Sequence, residues 1–211
     1  MHIARQAEFY KSEETVDFSV FRDMQTNADV ALRLVDSYVL GLDLATKQMD
    51  LQLEPVSVSA TLYDVAHELT PLLRQRDTEL QLVLAGRYGE VMAHRRGLMA
   101  ALYNVGAVLS EIEAPEADKQ TIKIVAHHSP TGIIAGMYVN DQTPTLSLSK
   151  ARAQHGNARQ PFAEATAQTG AGIFVADAIF ASMNTRLRFG RFRGTHGLAA
   201  TLQPNRQLQL V

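Results

Sequence analysis

The segment Thr169-Gly170-Ala171-Gly172-Ile173 combines two glycines with the start of an apolar helix. Backbone N–H groups in the first turn of a helix have no partners within that helix and can receive a phosphate group. Glycine also lets a ligand come close to the backbone. A single Gly-x-Gly pair is weak support for such a site, so an ordinary helix start remains the alternative.

Histidine is a second residue type here that could do chemistry. His127 and His128 are neighbours in a predicted strand, so their side chains point to opposite faces and do not bind one metal ion together. His67 falls in a helical pattern, where a position on the helix surface is expected. The chain has no cysteine, which excludes disulfides, thiolate catalysis and thiolate metal sites.

Length and composition favour a globular protein. The 211 residues with 46% hydrophobic content suffice for one domain and an appendage. No run approaches the roughly 18 apolar residues of a membrane span, and the N-terminus lacks the apolar core of a secretion signal. We therefore expect a cytoplasmic protein without a membrane segment. A net charge of −2 gives no general attraction to nucleic acid.

The C-terminal part of the chain is basic, with five arginines and no acid between residues 178 and 211. Arg186 and Arg188 alternate with Leu187 and Phe189, which is typical of a strand with one wet and one buried face. A surface for an anionic ligand is the alternative interpretation.

The N-terminal part, residues 1–48, is predicted to be a helical dimerisation segment. Apolar residues recur at helical spacing from about Phe21 to Lys47, with four of them on one stripe, Val35, Tyr38, Val39 and Leu42. Such a helix cannot bury its stripe alone, so it needs a partner helix within this chain or from a second copy. A homodimer through this helix is expected.

Residues 49–211 are predicted to form a second domain. Alternating apolar and polar residues indicate strands, and apolar residues that recur every three or four positions indicate helices. The segment Ser129-Pro130-Thr131-Gly132 is predicted to close a hairpin. The predicted order begins with an edge strand at 51–58 that Pro55 interrupts, followed by a helix capped by Ser59 or Thr61 and ending near Arg76. Strands at 79–84 and 91–93, a helix at 95–113, strands at 121–127 and 132–140, a helix at 172–183, and strands at 186–192 and 198–202 come next. This order predicts an α/β (α+β) two-layer sandwich, with a mixed sheet covered by three helices on one face.

Residues 142–169 are rich in Gly, Ala, Gln, Ser and Thr and show little apolar period. A loop of this length within a compact domain is usually functional or mobile. We interpret it as a lid.

The element order and several local phrases resemble the catalytic, ATP-binding (GHKL-type ATPase) domain of bacterial sensor histidine kinases, over about residues 25 to 204. Leu32–Leu40 is similar to the second helix of the kinase dimerisation hairpin, and Leu53–Val56 resembles the junction into the catalytic domain. Glu68–Leu72 and Thr78–Leu82 resemble that domain's first helix and next strand. The shared order of the phrases supports the resemblance more than any one of them.

The resemblance implies a site for ATP and Mg²⁺. Asp141 matches the aspartate that accepts a hydrogen bond from adenine, but Thr143 and Thr145 replace the two glycines that follow it in the family. Gly170 and Gly172 match the glycines beside the phosphates. The family's Mg²⁺-ligating asparagine aligns with Val105, one residue after Asn104, so Asn104 becomes the candidate metal ligand if the helix shifts. The alternatives are a turn residue at Asp141 and a packing residue at Asn104.

Two functions follow from the resemblance. The leading one is a two-component signalling protein that transfers the γ-phosphoryl group of ATP to a histidine. The other is a degenerate, kinase-like adaptor that dimerises and docks a response regulator or a kinase without binding ATP. His67-Glu68-Leu69-Thr70-Pro71 resembles the phosphoacceptor phrase with one residue absent, but a predicted strand follows too soon for a phosphoacceptor helix.

Overall fold

The computed structural model describes residues 18–46, 51–84, 86–111, 119–139, 148 and 169–205. These residues form four helices and seven strands, with turns between them. In chain order they are α1 (Phe18–Ala45), β1 (Glu54–Ser57), α2 (Val58–Gln75), β2 (Glu79–Leu84), β3 (Glu90–Ala93), α3 (Arg95–Leu109), β4 (Thr121–Ser129), β5 (Gly132–Val139), α4 (Thr169–Ser182), β6 (Arg188–Phe192) and β7 (Thr195–Leu202).

The main sheet has five strands in the order β2-β4-β5-β7-β6. β2 and β4 are parallel and every other neighbouring pair is antiparallel. The predicted mixed α/β sandwich with a long N-terminal helix is therefore confirmed. β1 and β3 form a separate antiparallel pair, with Pro55 opposite Met92.

Polar side chains fix where α2 and α3 begin. The Ser57 side chain accepts a hydrogen bond from the Ala60 N–H, so α2 begins at Val58, earlier than the predicted caps at Ser59 or Thr61. The strand predicted at 51–58 with a break at Pro55 is observed as Glu54–Ser57, which includes the proline. At α3, His94 Nδ1 accepts a hydrogen bond of 3.0 Å from the Gly97 N–H. This histidine therefore has a capping role that the sequence did not reveal.

The principal hydrophobic core lies between the main sheet and the helices. Its largest fully buried side chains come from α2, α3, α4 and the sheet, and include Leu69, Leu102, Ile124, Phe174 and Phe180. Burial of side chains of this size accounts for most of the favourable free energy of folding. The opposite face of the sheet carries a smaller cluster of buried residues, Val125, Tyr138 and Ala199.

The long helix α1 packs against α4. A Cβ atom added to Gly41 would lie 3.1 Å from Val175 Cγ2, and the Tyr38 and Phe174 rings have centroids 6.4 Å apart. Arg33 adds an ion pair with Glu68 of α2. A helix of the same chain therefore covers one face of α1, the face that carries Gly41.

The other face of α1 is exposed to solvent. Leu32, Val35 and Val39 are 63%, 58% and 50% exposed. The amphipathic helix that the sequence predicted thus has two apolar faces, of which one is covered. None of the helices among the described residues combines the length and hydropathy needed to span a membrane.

Candidate nucleotide site

Asn104, the predicted metal ligand, lies in α3 and is only 1% exposed. Its Nδ2 donates a hydrogen bond of 2.8 Å to the carbonyl oxygen of Ala100, one turn earlier in the same helix. All the side chains from Ala101 to Ser110 are buried, so this part of α3 has no solvent-facing side. The carboxamide therefore faces protein.

Gly172 lies opposite Asn104, in the first turns of α4. A Cβ atom at Gly172 would lie 2.6 Å from Val108 Cγ2 and 3.7 Å from Asn104 Oδ1. The absence of a side chain at Gly172 thus lets α4 pack closely on α3. The structure brings together two of the four residues predicted to form the nucleotide site.

Gly170 falls within α4, which begins at Thr169. The two glycines therefore belong to the first turn of the helix, where backbone N–H groups lack partners within the helix. Asp141 lies outside the described residues, as does the predicted lid except for Leu148 and the start of α4. Leu148 is buried in the main core.

A magnesium ion requires about six oxygen ligands in near-octahedral geometry. Among the residues that the structure describes, no three His, Asp or Glu side chains cluster in a way that could hold a metal ion. Asn104 is enclosed between α3 and α4, so the residues as packed do not fit a bound Mg²⁺. Metal binding by Asn104 stays a prediction, and it requires the contact between α3 and α4 to open.

Three histidines of the described residues, His67, His127 and His128, test the sequence predictions. His67 is exposed on α2, in agreement with the prediction for its surface position. His127 pairs with Ile134 and His128 with Ile133 in adjacent rows of the sheet, so the two rings face opposite sides. Burial lowers the pKa of His127, and its Nδ1 has no hydrogen-bond partner in the described structure.

Arg33 links α1 to the helices of the domain in a way that the sequence did not reveal. Its guanidinium pairs with Glu68 of α2 and lies 5.6 Å from the centre of the Tyr103 ring of α3. Burial raises the pKa of Tyr103, and the Arg33 cation acts in the opposite direction. Arg33 lies on the side of α1 opposite to Val35, Val39 and Leu42, so the helical pattern gave no signal for this contact.

No protein-family model matches this chain, and a search of curated proteins found no match. Solved structures with similar folds do exist. The histidine kinase AdeS of Acinetobacter baumannii is similar with a TM-score of 0.58 and 16% identity, over 96% of this chain and 92% of AdeS. The catalytic domain of histidine kinase ThkA has a TM-score of 0.54 and 15% identity, over 72% of this chain and 96% of that domain.

Full-length ShkA, solved in complex with AMPPNP, has a TM-score of 0.58 and 19% identity. That match covers 92% of this chain but only 41% of ShkA. At these identities the likeness concerns the fold. The chain has the fold of histidine kinase catalytic domains.

Proposed function

We propose that this chain is a two-component signalling protein whose histidine-kinase-like domain docks a response regulator or a kinase and does not bind ATP. The observation that carries the proposal is the burial of Asn104 between α3 and α4, with its amide bonded to Ala100. A side chain in this position cannot reach a metal bound to nucleotide phosphates unless the two helices separate.

The sequence near Asp141 supports the same proposal. Thr143 and Thr145 stand where the family has glycines, and a β-branched side chain restricts the backbone and crowds a bound base. The Asp141 hydrogen bond alone would contribute about 1.5–3 kcal/mol, which is far less than tight nucleotide binding requires.

The second candidate is ATP-dependent transfer of a phosphoryl group to a histidine. The observation that favours it is the proximity of Asn104 to Gly172 across the α3–α4 contact. In this candidate Asp141 holds adenine, Gly170 and Gly172 lie beside the phosphates, and Asn104 ligates Mg²⁺. Catalysis would rest on positioning the phosphates and neutralising their charge.

Both candidates include a homodimer formed through α1, in the cytoplasm. Leu32, Val35 and Val39 expose an apolar stripe on the face of α1 that points away from α4. A second copy of the chain could cover that stripe with the same residues.

Calorimetric titration with ADP and a nonhydrolysable ATP analogue, with and without Mg²⁺, separates the two candidates. We expect no heat of binding from folded protein at high concentration. Micromolar, magnesium-dependent binding that is lost in Asp141→Asn would contradict the adaptor proposal. Because the substitution is nearly isosteric, it should leave the thermal unfolding midpoint unchanged, and that midpoint is the control.

A further inference from the structure

The edge strand β6 and the residues that flank it concentrate positive charge. Arg186, Arg188, Arg191 and Arg193 are all exposed. All 22 acidic residues of the chain precede residue 178. The carboxylate of Asp177 is buried and accepts a hydrogen bond from the Leu187 N–H. The four ion pairs of the described residues all lie between Arg33 and Lys119.

The side chains of β6 do not follow the simple alternation of a half-buried strand. Leu187, just before the strand, is fully buried. Phe189 is 46% exposed although its strand partner Leu198 is 0% exposed. Arg188, on the other face, is exposed as well. Both faces of β6 are therefore accessible to a partner, and one of them presents a large aromatic side chain.

The backbone of β6 is also available on one side. β6 ends the strand order and pairs only with β7 among the described strands. Charged residues on an edge strand can simply discourage unwanted pairing. An exposed phenylalanine between arginines does not serve that purpose, whereas aromatic and arginine side chains are enriched at the centres of protein interfaces.

The turn from β6 to β7 positions one more arginine at the end of the strand. Arg193 and Gly194 have φ angles of 47° and 86°, the left-handed conformation of a two-residue hairpin turn. The Arg193 guanidinium lies 5.3 Å from the centre of the Phe192 ring. This stacking holds the cation beside the edge.

We propose that β6 is a docking edge for an acidic, extended segment of another protein, which adds to the sheet as a further strand. The free backbone groups of β6 would pair with the segment. The arginines would bind its carboxylates in a bidentate manner, which guanidinium groups do better than ammonium groups. Phe189 would contact its apolar side chains. The proposal does not depend on whether the domain binds nucleotide.

The test uses a fluorescein-labelled peptide that repeats Glu-Glu-Val over about eight residues, the length of an ordinary strand. This repeat puts glutamates on both faces of the added strand, as Arg188 and Arg191 lie on both faces of β6. Binding to the full chain is followed by fluorescence anisotropy at low salt. We expect binding that weakens at least about tenfold in the double variant Arg188→Glu/Arg191→Glu. The matched control is Arg74→Glu/Arg96→Glu, which makes the same change of charge at two exposed residues of α2 and α3. The control should bind like the wild type.

A second peptide tests the strand geometry without any change to the protein. An N-methylated version of the acidic peptide keeps its charge but cannot form the backbone hydrogen bonds of a sheet. We expect it not to bind. Equal binding of the two peptides, or equal weakening by the control variant, would overturn the proposal, and so would an absence of binding by the acidic peptide.

Discussion

At the scale of single residues, Asn104 decides between the two candidate functions. It is a buried polar side chain whose Nδ2 donates a hydrogen bond within its own helix, and burial of a polar group costs free energy unless such a bond is made. If its role is packing, Asn104→Ala should lower the free energy of unfolding by about 1–2 kcal/mol, through the lost hydrogen bond and lost contacts.

Urea unfolding measures this loss, with Gln75→Ala as the control because Gln75 is an exposed amide at the end of α2. The control should change stability very little. Unchanged stability of Asn104→Ala, together with loss of magnesium-dependent nucleotide binding, would instead assign Asn104 to the metal.

His127 gives the fold a dependence on pH. Burial lowers the pKa of His127 in the folded chain below about 6.5, the value in the unfolded chain. At pH values between these two pKa values, the folded chain therefore binds fewer protons than the unfolded chain. The contribution of the neutral imidazole to stability is present above the unfolded pKa and is lost as the pH falls through this window.

We expect His127→Gln to flatten the fall in unfolding free energy as the pH decreases from about 7.5 to 5, because glutamine does not titrate. Chemical denaturation at several pH values measures the slope. His128→Gln changes the adjacent histidine on the opposite face and is the comparison variant. An identical slope in the wild type and His127→Gln would disprove the assignment.

At the scale of elements, sequence patterns located most helices and strands correctly. Long apolar periods predicted α3, and alternation around a Ser-Pro-Thr-Gly turn predicted the β4–β5 hairpin. The predicted start of α2 was too late along the chain, because Ser57, Ser59 and Thr61 are all residue types that can cap a helix. The pairing of β1 with β3 in a separate sheet was not predictable, since alternation reports that a strand has two faces but not which strand lies beside it.

The candidate site was less predictable than the elements. The positions of Asn104 and Gly172 on neighbouring helices followed from the family resemblance. Their close contact depends on packing between residues far apart in sequence, and so does the exposure of Phe189. A polar residue in a helix buried on all sides gives the same sequence signal whether it binds a ligand or its own backbone.

The contact between α1 and α4 depends on the missing side chain at Gly41. A Cβ atom there would lie 3.1 Å from Val175 Cγ2 and 3.2 Å from Val175 Cα, and the latter atom cannot move without the backbone of α4. Gly41→Leu should therefore push α1 away and lower the free energy of unfolding by about 1–3 kcal/mol.

The control is Ala60→Leu, which places a leucine at an exposed position of α2, away from the exposed apolar stripe of α1. Urea unfolding and limited proteolysis of α1 would follow the effect. Equal stability of the two variants would show that the α1–α4 contact tolerates a larger residue and that its close packing contributes little.

At the scale of the whole molecule, the exposed face of α1 has the spacing of a coiled-coil seam. Ala28, Leu32, Val35 and Val39 are separated by four, three and four residues, and all are exposed. In heptad terms Leu32 and Val39 take position a, while Ala28 and Val35 take position d. The row of aspartates at 29, 36 and 43 then follows at position e.

These aspartates favour a parallel pair of α1 helices. In a parallel pair, position e faces position g of the partner, which here holds the uncharged Ala31 and Tyr38. In an antiparallel pair, position e faces position e, so rows of aspartate would repel each other. We therefore expect two copies of the chain to pair in parallel and in register.

Single cysteines can test this orientation cleanly because the chain has no cysteine of its own. In a parallel, in-register dimer, residues of the same number face each other within disulfide distance, about 5.5–6 Å between Cα atoms. Leu32→Cys and Val39→Cys should each form a cross-linked dimer under mild oxidation, detected by non-reducing gel electrophoresis. Thr131→Cys, exposed at the β4–β5 turn, should remain monomeric on the gel.

Cross-linking that appears only when the Leu32→Cys and Val39→Cys proteins are mixed would indicate an antiparallel pair. Absence of cross-links in every combination would show that α1 is not the dimer seam.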